Sequence, residues 1–376
     1  MVHNTAMIAL LSLLAWLYLC FAHGRFWQSR PQLAPPTSAN TAAELPAVDI
    51  VVPARDEAET IRPVIASLLA QDYAGESRVV LVDDNSTDGT AELAGSAPRL
   101  QVLRGQTKPQ GWSGKLWAIS QGIAAGSAPV VLLTDADIVH DPRHLSALVA
   151  RLSEPRAAMV SEMVKLNCTS FAERALVPAF VYFFQMLYPF ARVNDATSPV
   201  AAAAGGTILI RREALERMGG IAAIKDALID DVTLAKAVKA FGSVYLGHSG
   251  LAQSIRPYPD FPSIWRMISR TAFTQLRYSA WLLLVALAGL TVVWVVPIWA
   301  ALLGHGWPRV CGAIAFLLGA ASYLPTLVRY RRSWLWSLAL PLIALFYMAA
   351  TIGSALNHWL GRGASWKKRD YGAVAK

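Results

Sequence analysis

Two aspartates, Asp135 and Asp137, follow a short segment, Val130–Thr134, whose apolar residues predict a fully buried strand. Ligands of open α/β sheets bind beyond the carboxyl ends of the strands, so this D-x-D sequence would present carboxylate oxygens on the ligand side of the sheet. Hard oxygens of this kind suit Mg²⁺ or Mn²⁺, and such ions bridge phosphates. Because aspartates are also common in turns after strands, the triplet alone supports a metal site only weakly.

Three further polar motifs fall near the ends of predicted strands: VPARDE at 52–57, VDDNSTDGT at 82–90 and GWSGK at 111–115. The second could simply be a turn and a helix cap. The third is not a phosphate-binding P-loop, because Pro109 replaces the first glycine and Leu116 follows the lysine. Clustered acids at successive strand ends are costly unless a cation or a ligand hydroxyl balances them. Together the motifs therefore predict one ligand site.

Strands and helices alternate from Val48 onward, and these elements must position the motifs. The predicted strands are 48–52, 79–82, 100–103 and 130–134, and the predicted helices are 56–71, 87–93 and 116–125. This alternation predicts the α/β class, with a mostly parallel, Rossmann-like nucleotide-binding sheet covered by helices on both faces.

The composition indicates a membrane protein. Apolar residues make up 55% of the 376 residues and charged residues only 16%, which is too apolar for a purely soluble enzyme. Three runs, 281–303, 310–328 and 334–356, are each long enough to cross a bilayer. The net charge of +9 beside these runs favours an anionic lipid surface as partner, and no nucleic-acid motif is present.

The amino-terminal run from Ala6 to Ala22 carries no charge and is followed by His23, Arg25 and Arg30. A signal peptide would carry its positive charge before the apolar segment, so we favour an uncleaved anchor over 1–24 that leaves the next domain in the cytoplasm; the signal peptide stays as an alternative. The remaining organisation is a linker at 25–47, a catalytic domain at 48–279, three transmembrane segments at 280–360 and a basic tail at 361–376.

The ordered motifs VPARDE, VDDNSTDGT, the lysine of GWSGKLWA, TDAD and ALIDDVTLAKAVK resemble those of family 2 glycosyltransferases with the GT-A fold. The resemblance covers about 48–279. More narrowly, GWSGKLWAISQG, VPAFVYFFQMLYPFARVND and GGIAAIKDALIDDVTLAKAVK resemble the glycosyltransferases associated with hopanoid biosynthesis in bacteria.

The resemblance implies which residues bind the donor nucleotide. Pro53, Ala54 and Glu57 would line the nucleobase and ribose, and Asp84 would hydrogen-bond the base, as the family's aspartate does for uracil. Lys115 would approach the nucleotide from the side. A UDP-sugar is therefore the favoured donor.

The resemblance also implies the metal-binding and catalytic residues. Asp135 would touch the ribose or the sugar, Asp137 would bind the Mg²⁺ or Mn²⁺ on the diphosphate, and Asp231 would be the general base. Asp230 replaces the glutamate that usually precedes this base, and Asp56 replaces the asparagine of the family's N-E pair. The Q-x-x-R-W motif of processive members is reduced to Gln275–Tyr278, which argues against a polysaccharide synthase.

The chemistry that these residues would perform is an inverting transfer. A single in-line displacement at the anomeric carbon needs a base opposite the leaving nucleotide, which Asp231 can supply. The divalent ion and a cation such as Lys115 or Arg277 would stabilise the charge on the departing diphosphate.

The acceptor is expected to be a lipid, with a hopanoid favoured. The aromatic segment 171–193 is interrupted by Pro178 and Pro189 and suggests an interfacial helix beside the site, with a buried core helix as the alternative. We expect a multi-pass protein of the bacterial inner membrane with a cytoplasmic catalytic domain. Two other functions stay open: transfer to a polyprenyl phosphate, and a non-catalytic scaffold of a lipid-assembly complex.

Overall fold

The computed structural model describes residues 2–34, 45–362, 365–366 and 369–370. The middle of the predicted linker and most of the predicted basic tail lie outside the described residues. The chain divides into two compact units. The sheet unit contains Pro31–Asn167 and Arg192–Pro257, and the helical unit contains Met1–Arg30, Cys168–Ala191 and Tyr258–Ala364.

One eight-stranded sheet, in the order β3-β2-β1-β4-β7-β6-β8-β5, forms the centre of the sheet unit, and β9 and β10 form a separate antiparallel pair. The strands are β1 (Val48–Ala54), β2 (Ser77–Asp83), β3 (Leu100–Arg104), β4 (Val130–Thr134), β5 (Ile138–His140), β6 (Ala157–Lys165), β7 (Thr207–Arg211), β8 (Ser243–Ser254), β9 (Ser365–Trp366) and β10 (Arg369–Asp370).

The α-helices range from single turns to a helix of 23 residues. They are α1 (Val2–Leu17), α2 (Ile61–Leu69), α3 (Thr90–Leu93), α4 (Gly114–Ala124), α5 (His144–Leu152), α6 (Phe171–Leu187), α7 (Phe190–Asn194), α8 (Arg212–Arg217), α9 (Asp230–Lys239), α10 (Phe261–Ser269), α11 (Ala272–Gln275), α12 (Ala280–Leu290), α13 (Val296–Leu303), α14 (Trp307–Arg329) and α15 (Leu340–Trp359).

The first half of the sheet is parallel, as the alternation of strands and helices predicts. β3, β2, β1 and β4 pair in parallel, and β1 and β4 are buried along their whole length. The second half is mixed, because β7 runs antiparallel to both of its neighbours, β4 and β6. The prediction of a mostly parallel sheet therefore holds for the half formed by β3, β2, β1 and β4, while the sheet as a whole is mixed.

The helix predicted over 56–71 begins later, at Ile61. Asp56 has a φ of 49°, a left-handed conformation that cannot belong to an α-helix. Backbone amides at the start of this segment donate to residues outside it and not within a helix. The amide of Asp56 donates to the hydroxyl of Ser86, and the amide of Glu57 donates to the hydroxyl of Thr90. The chain between β1 and α2 is thus a loop at the carboxyl ends of the parallel strands.

The helical unit contains the apolar runs. Three helical segments are long and apolar enough to cross a membrane, Ala280–Leu303, Trp307–Arg329 and Leu340–Trp359, and the helix over Ala6–Ala22 is shorter. The third begins six residues after the predicted start, because a 3-10 turn over Trp334–Ser337 precedes it. The shorter helix packs on α14 within this unit, and the indole of Trp16 donates to the carbonyl of Val293 at 2.8 Å. Whether the shorter helix spans a membrane stays a prediction.

Helix α6 also belongs to the helical unit, although the sequence placed it within the catalytic domain. Ser170 and Glu173 form a reciprocal capping box at its start, which satisfies two amides of the first turn. Most of the helix is buried, but Phe171 and Leu187 near its two ends are 66% and 52% exposed. The interfacial location of this segment stays a prediction.

Candidate active site

Lys115 joins two acid pairs that are far apart in the sequence. It is the second residue of α4, and its ammonium lies 2.8 Å from Oδ1 of Asp135 and 3.4 Å from Oδ2 of Asp230. Ser113 caps this helix by accepting from the amide of Leu116, which fixes the start of α4 at the strand ends. The D-x-D after β4 and the acid pair at the start of α9 therefore belong to one site.

Arg256 makes the corresponding link on the other side of the D-x-D. Its guanidinium donates to Oδ2 of Asp137 at 2.9 Å and to Oε1 of Glu57 at 2.6 Å. The hydroxyl of Ser254, the last residue of β8, also donates to Oδ2 of Asp137. Arg256 thus bridges Glu57 and Asp137, and Lys115 bridges Asp135 and Asp230.

The loops after β1 and β2 fix each other. The amide of Ala58 donates to the carboxylate of Asp88, and the amide of Thr87 donates to the carboxylate of Asp56. Several polar residues of the VDDNSTDGT motif therefore have the structural role that the turn interpretation predicts. Asp84 differs, because its carboxylate is 1% exposed and lies 3.7 Å from the guanidinium of Arg55.

Asp231 is held by backbone amides in front of a mostly apolar pocket. Its Oδ2 accepts from the amide of Gly205 at 2.8 Å, and its Oδ1 accepts from its own neighbour Val232 at 2.7 Å. The pocket is lined mainly with apolar side chains, which include Ile221 and Leu234. Burial, and secondarily the charge of Asp230, raise the pKa of Asp231 to about 7. A carboxylate with this pKa can accept a proton near neutral pH.

The charges of Lys115 and Asp135 are coupled. Burial by itself would lower the pKa of Lys115, but the carboxylates of Asp135 and Asp230 more than offset this effect and raise the pKa above its ordinary value. The pKa of Asp135 is raised, first by burial and, against the opposing effect of Lys115, by the neighbouring Asp137. Lys115 is thus a permanent cation in the site, and it offsets part of the negative charge.

The residues of the D-x-D fit a Mg²⁺ or Mn²⁺ ion that is shared with a substrate. Among the described residues, no group of three or more His, Cys, Asp or Glu side chains is arranged to hold a metal by itself. Mg²⁺ commonly keeps several waters and uses only one or two carboxylates together with substrate phosphates, and Asp135 and Asp137 can supply these two. Such an ion would share the carboxylate of Asp137 with Arg256.

The structure gathers most of the predicted site residues in the sheet unit. Pro53 and Ala54 are the buried last residues of β1, and the loop that follows carries Glu57. Arg277 belongs to the helical unit and has a left-handed φ of 52°, so its assignment to the site stays a prediction. The sequence analysis missed Arg55, Ser254 and Arg256. Arg256 follows a strand, but nothing in its local sequence distinguishes it from the other arginines.

A central stretch of the chain matches a known protein family. Residues 49–219 match the model of a family described as "Glycosyl transferase family 2". This match supports a family 2 glycosyltransferase domain on a mixed α/β sheet of the GT-A kind.

Curated relatives share parts of this domain. The chain is 28% identical over 210 residues to the beta-monoglucosyldiacylglycerol synthase of Synechocystis sp., a match that covers 52% of this chain and 42% of that protein. It is 35% identical over 115 residues to the succinoglycan biosynthesis protein ExoU of Rhizobium meliloti, covering 30% of this chain and 32% of the relative. The chain thus spans less than half the length of either relative.

A solved structure shares the fold over nearly the whole chain. The mannosyltransferase PcManGT from Pyrobaculum calidifontis, determined in complex with GDP-Man and Mn²⁺, matches with a TM-score of 0.58 and 21% identity, covering 96% of this chain and all of that chain. At this identity the likeness shows the fold. Together, the domain, the relatives and the fold support a glycosyltransferase.

Proposed function

We propose that the protein transfers a sugar from a nucleoside-diphosphate sugar to a lipid acceptor with inversion at the anomeric carbon. The observation that carries this proposal is the position of Lys115, which lies within 3.4 Å of both Asp135 and Asp230. This geometry brings the acids after β4, on the side where a donor would bind, next to the acids at the start of α9, where a base is needed.

Asp231 is the general base of this proposal. Its pKa of about 7 allows it to be ionised at neutral pH and still to attract the proton of an acceptor hydroxyl. The amides of Gly205 and Val232 fix the orientation of its carboxylate, so little reorganisation is needed when the proton is transferred. Asp230 holds Lys115 and raises the proton affinity of Asp231.

The donor lies at the strand ends of the parallel half of the sheet. Pro53, Ala54, Glu57 and Asp84 bind the nucleoside, and a UDP-sugar is the favoured donor. A Mg²⁺ or Mn²⁺ ion held by Asp137 and Asp135 neutralises diphosphate charge when it is bound. The complex of PcManGT with GDP-Man and Mn²⁺ supports this class of donor and ion for the fold.

The acceptor is a lipid, and a hopanoid is the proposed class. Three helices that could span a membrane lie in the same chain as the transferase domain, which suits an acceptor that resides in a bilayer. The name of the Synechocystis relative also describes a synthase of a glycolipid. We place the protein in the bacterial inner membrane with its catalytic domain in the cytoplasm.

The test is sugar transfer by the full-length protein in detergent. A panel of radiolabelled nucleotide sugars is offered with total bacterial lipid, in Mn²⁺ or in EDTA, beside Asp231→Asn. We expect one donor to label a lipid, EDTA to abolish the labelling, and the variant to lose at least a hundredfold in rate. A labelled polyprenyl phosphate would replace the hopanoid as acceptor. The absence of labelling with every donor, together with the absence of nucleotide binding, would favour the scaffold function.

A further inference from the structure

A buried chain of polar side chains lies behind the D-x-D and is not part of the proposed chemistry. Glu162 on β6 contacts His144 through Oε2 and Nε2 at 2.6 Å, and the Nδ1 atoms of His144 and His140 are 2.8 Å apart. His140 Nε2 lies 3.1 Å from the hydroxyl of Thr134. All four side chains are at most 4% exposed, so water does not satisfy them.

This row of polar side chains ends at the loop of Gly205 and Gly206, which contacts the proposed base Asp231. The hydroxyl of Thr134 donates to the carbonyl of Gly206 at 2.9 Å, while the amide of the preceding Gly205 donates to Asp231. The hydroxyl of Ser161, next to Glu162, both donates to and accepts from the backbone of Ala204. Strands β4 and β6 therefore hold this small-residue loop from behind, and the loop in turn holds Asp231.

The number of hydrogen bonds in this row of side chains requires one proton more than the neutral histidines, the hydroxyl and an ionised Glu162 supply. The row has four contacts, Glu162 to His144, His144 to His140, His140 to Thr134 and Thr134 to Gly206, and each requires one hydrogen. Two neutral imidazoles and one hydroxyl supply one hydrogen each, and an ionised carboxylate supplies none. Three hydrogens cannot make four bonds.

The fourth hydrogen belongs to the pair of Glu162 and His144. Burial, and secondarily the neighbouring His144, lower the pKa of His140 well below its ordinary value, so His140 is neutral. With one additional proton between them, Glu162 and His144 are either a carboxylate and an imidazolium or a carboxylic acid and an imidazole. Both forms have no net charge, which is the state that a fully buried pair favours.

The charged surroundings do not displace this proton. Besides His140, two titratable groups interact electrostatically with the pair: Asp141 before α5 interacts with His144, and Tyr245 on β8 interacts with Glu162. Hydrogen bonds from Arg143 lower the pKa of Asp141, and burial raises the pKa of Tyr245 to about 12. Asp141 is therefore ionised and Tyr245 neutral throughout the range from pH 6 to 9.

We propose that Glu162, His144, His140 and Thr134 form a proton-holding chain that positions the loop of Gly205 and Gly206, and through it Asp231. These are positioning residues, because they act on the reaction only through the loop. The proposal rests on the proposed function for the role of Asp231, but the proton count and the order of the loop do not depend on it.

The substitutions Thr134→Val and Glu162→Gln separate the two parts of the proposal. Thr134→Val removes the hydroxyl that reaches Gly206 and keeps the side-chain shape, and Thr134→Ser restores the hydroxyl. In Glu162→Gln the amide can donate to His144, so four hydrogens are present without an additional proton. His305→Gln changes an exposed histidine of the helical unit and serves as the matched control.

The proton count is measured by NMR on the full-length protein in detergent with ¹⁵N-labelled histidine and ¹³C-labelled glutamate. We expect either a doubly protonated His144 or a protonated Glu162 from pH 6 to 9, and the same result in the control His305→Gln. Glu162→Gln should leave His144 neutral throughout. A neutral His144 beside an ionised Glu162 in the unaltered protein would overturn the proton-holding chain.

The positioning role is measured by hydrogen exchange over residues 201–207 and by steady-state kinetics. We expect Thr134→Val to speed exchange there and to lower kcat at least tenfold with KM for the donor within twofold, and Thr134→Ser and Glu162→Gln to stay within threefold of the unaltered enzyme. Unchanged exchange in Thr134→Val would overturn the positioning role. If the unaltered protein transfers no sugar, the proposed function fails, yet the NMR and exchange results still decide this inference.

Discussion

At the scale of single residues, the site is defined by how each acid is balanced. The sequence analysis expected clustered acids that only a bound cation or ligand would balance. The structure instead pairs Glu57 and Asp137 with Arg256, and Asp135 and Asp230 with Lys115. Asp231 is different, since the groups around it raise its pKa to about 7. A strongly shifted pKa beside a pocket is a better indication of catalysis than the number of acids.

The rate of transfer should therefore depend on the ionisation of Asp231. Below pH 7 the base becomes protonated, so kcat/KM is expected to fall about tenfold for each pH unit and to level off above pH 7. The measurement is a pH profile of sugar transfer by the full-length enzyme. A profile that stays flat down to pH 5 would exclude Asp231 as the base.

The stability of the variant Asp231→Asn at different pH values tests the raised pKa of Asp231 independently of catalysis. An acid whose pKa is raised in the folded protein, here from an ordinary value of about 3.9, stabilises most at low pH and loses this contribution as the pH rises through 7. The variant is thus expected to be more stable than the unaltered protein at pH 8, by about 0.5–2 kcal/mol, and similar to it at pH 4. Thermal unfolding in detergent at both pH values measures the difference.

Arg256 should compete with a divalent cation for Asp137. Arg256→Gln removes the guanidinium that bridges Asp137 and Glu57, so Mn²⁺ is expected to bind the nucleotide-free protein at least threefold more tightly, which is about 0.7 kcal/mol. Titration with Mn²⁺ followed by electron paramagnetic resonance measures the free ion.

The matched control for this prediction is Arg143→Gln, which removes a similar arginine from an exposed ion pair with Asp141. This control should leave the affinity for Mn²⁺ unchanged. Equal affinities in the Arg256 variant and in the unaltered protein would show that the arginine and the ion do not share the carboxylate.

At the scale of elements, the site depends on how closely α4 packs on the sheet, because α4 carries Lys115. The contact is made at Gly122, where an added Cβ would lie 2.4 Å from Cγ1 of Val51 on β1 and 3.1 Å from Cγ2 of Val82 on β2. The helix can therefore approach the strands only with glycine at this position. The end of α4 is also held through the buried carboxylate of Asp49. Asp49 pairs with Arg78 and Arg212, and these arginines donate to backbone carbonyls at the end of the helix.

Gly122→Ala should destabilise the protein despite the better helix propensity of alanine. The steric conflict with Val51 is expected to cost about 1–3 kcal/mol, against a gain of up to about 1 kcal/mol from propensity. The midpoint of thermal unfolding measures the net effect. The double variant Gly122→Ala with Val51→Ala should lose less stability than the sum of the single variants. Additive losses would show that this contact does not limit the approach of α4.

At the scale of the whole molecule, the chain combines a transferase domain with helices that suit a bilayer. Three of the described helices are long and apolar enough to span one, and many of their large side chains are exposed, including Trp281, Leu302 and Leu342 at about 70%. Exposed apolar surface of this extent is expected where lipid covers it.

The full-length protein should therefore remain with membranes under conditions that remove peripheral proteins. Extraction of a membrane fraction with alkaline carbonate, followed by centrifugation, is expected to leave it in the pellet, and detergent should release it. A peripheral and an integral marker protein in the same fraction are the controls. Release by carbonate would show that the three helices do not span the bilayer.

Local sequence patterns predicted the first four strands of the sheet and the edge at which to look for a functional site. β4 spans the predicted residues, and Asp84 and Asp135 follow β2 and β4 as expected, because local apolar periodicity fixes where a buried strand ends. Asp137 lies directly before β5, a strand that was not predicted. The family resemblance on these motifs agrees with the matched transferase domain over 49–219. The hopanoid acceptor and the donor assignments stay proposals.

The pairing of charged side chains that are distant in the sequence could be seen only in the folded structure. Arg256 and Glu57 are 199 residues apart, and their ion pair depends on β8 and β1 ending at the same edge of the sheet. The antiparallel insertion of β7 beside β4 likewise brings Gly206 to Thr134 and the loop of Gly205 to Asp231. Such contacts leave no signal in local periodicity, because a strand has the same alternation of side chains whichever neighbour it pairs with and in whichever direction.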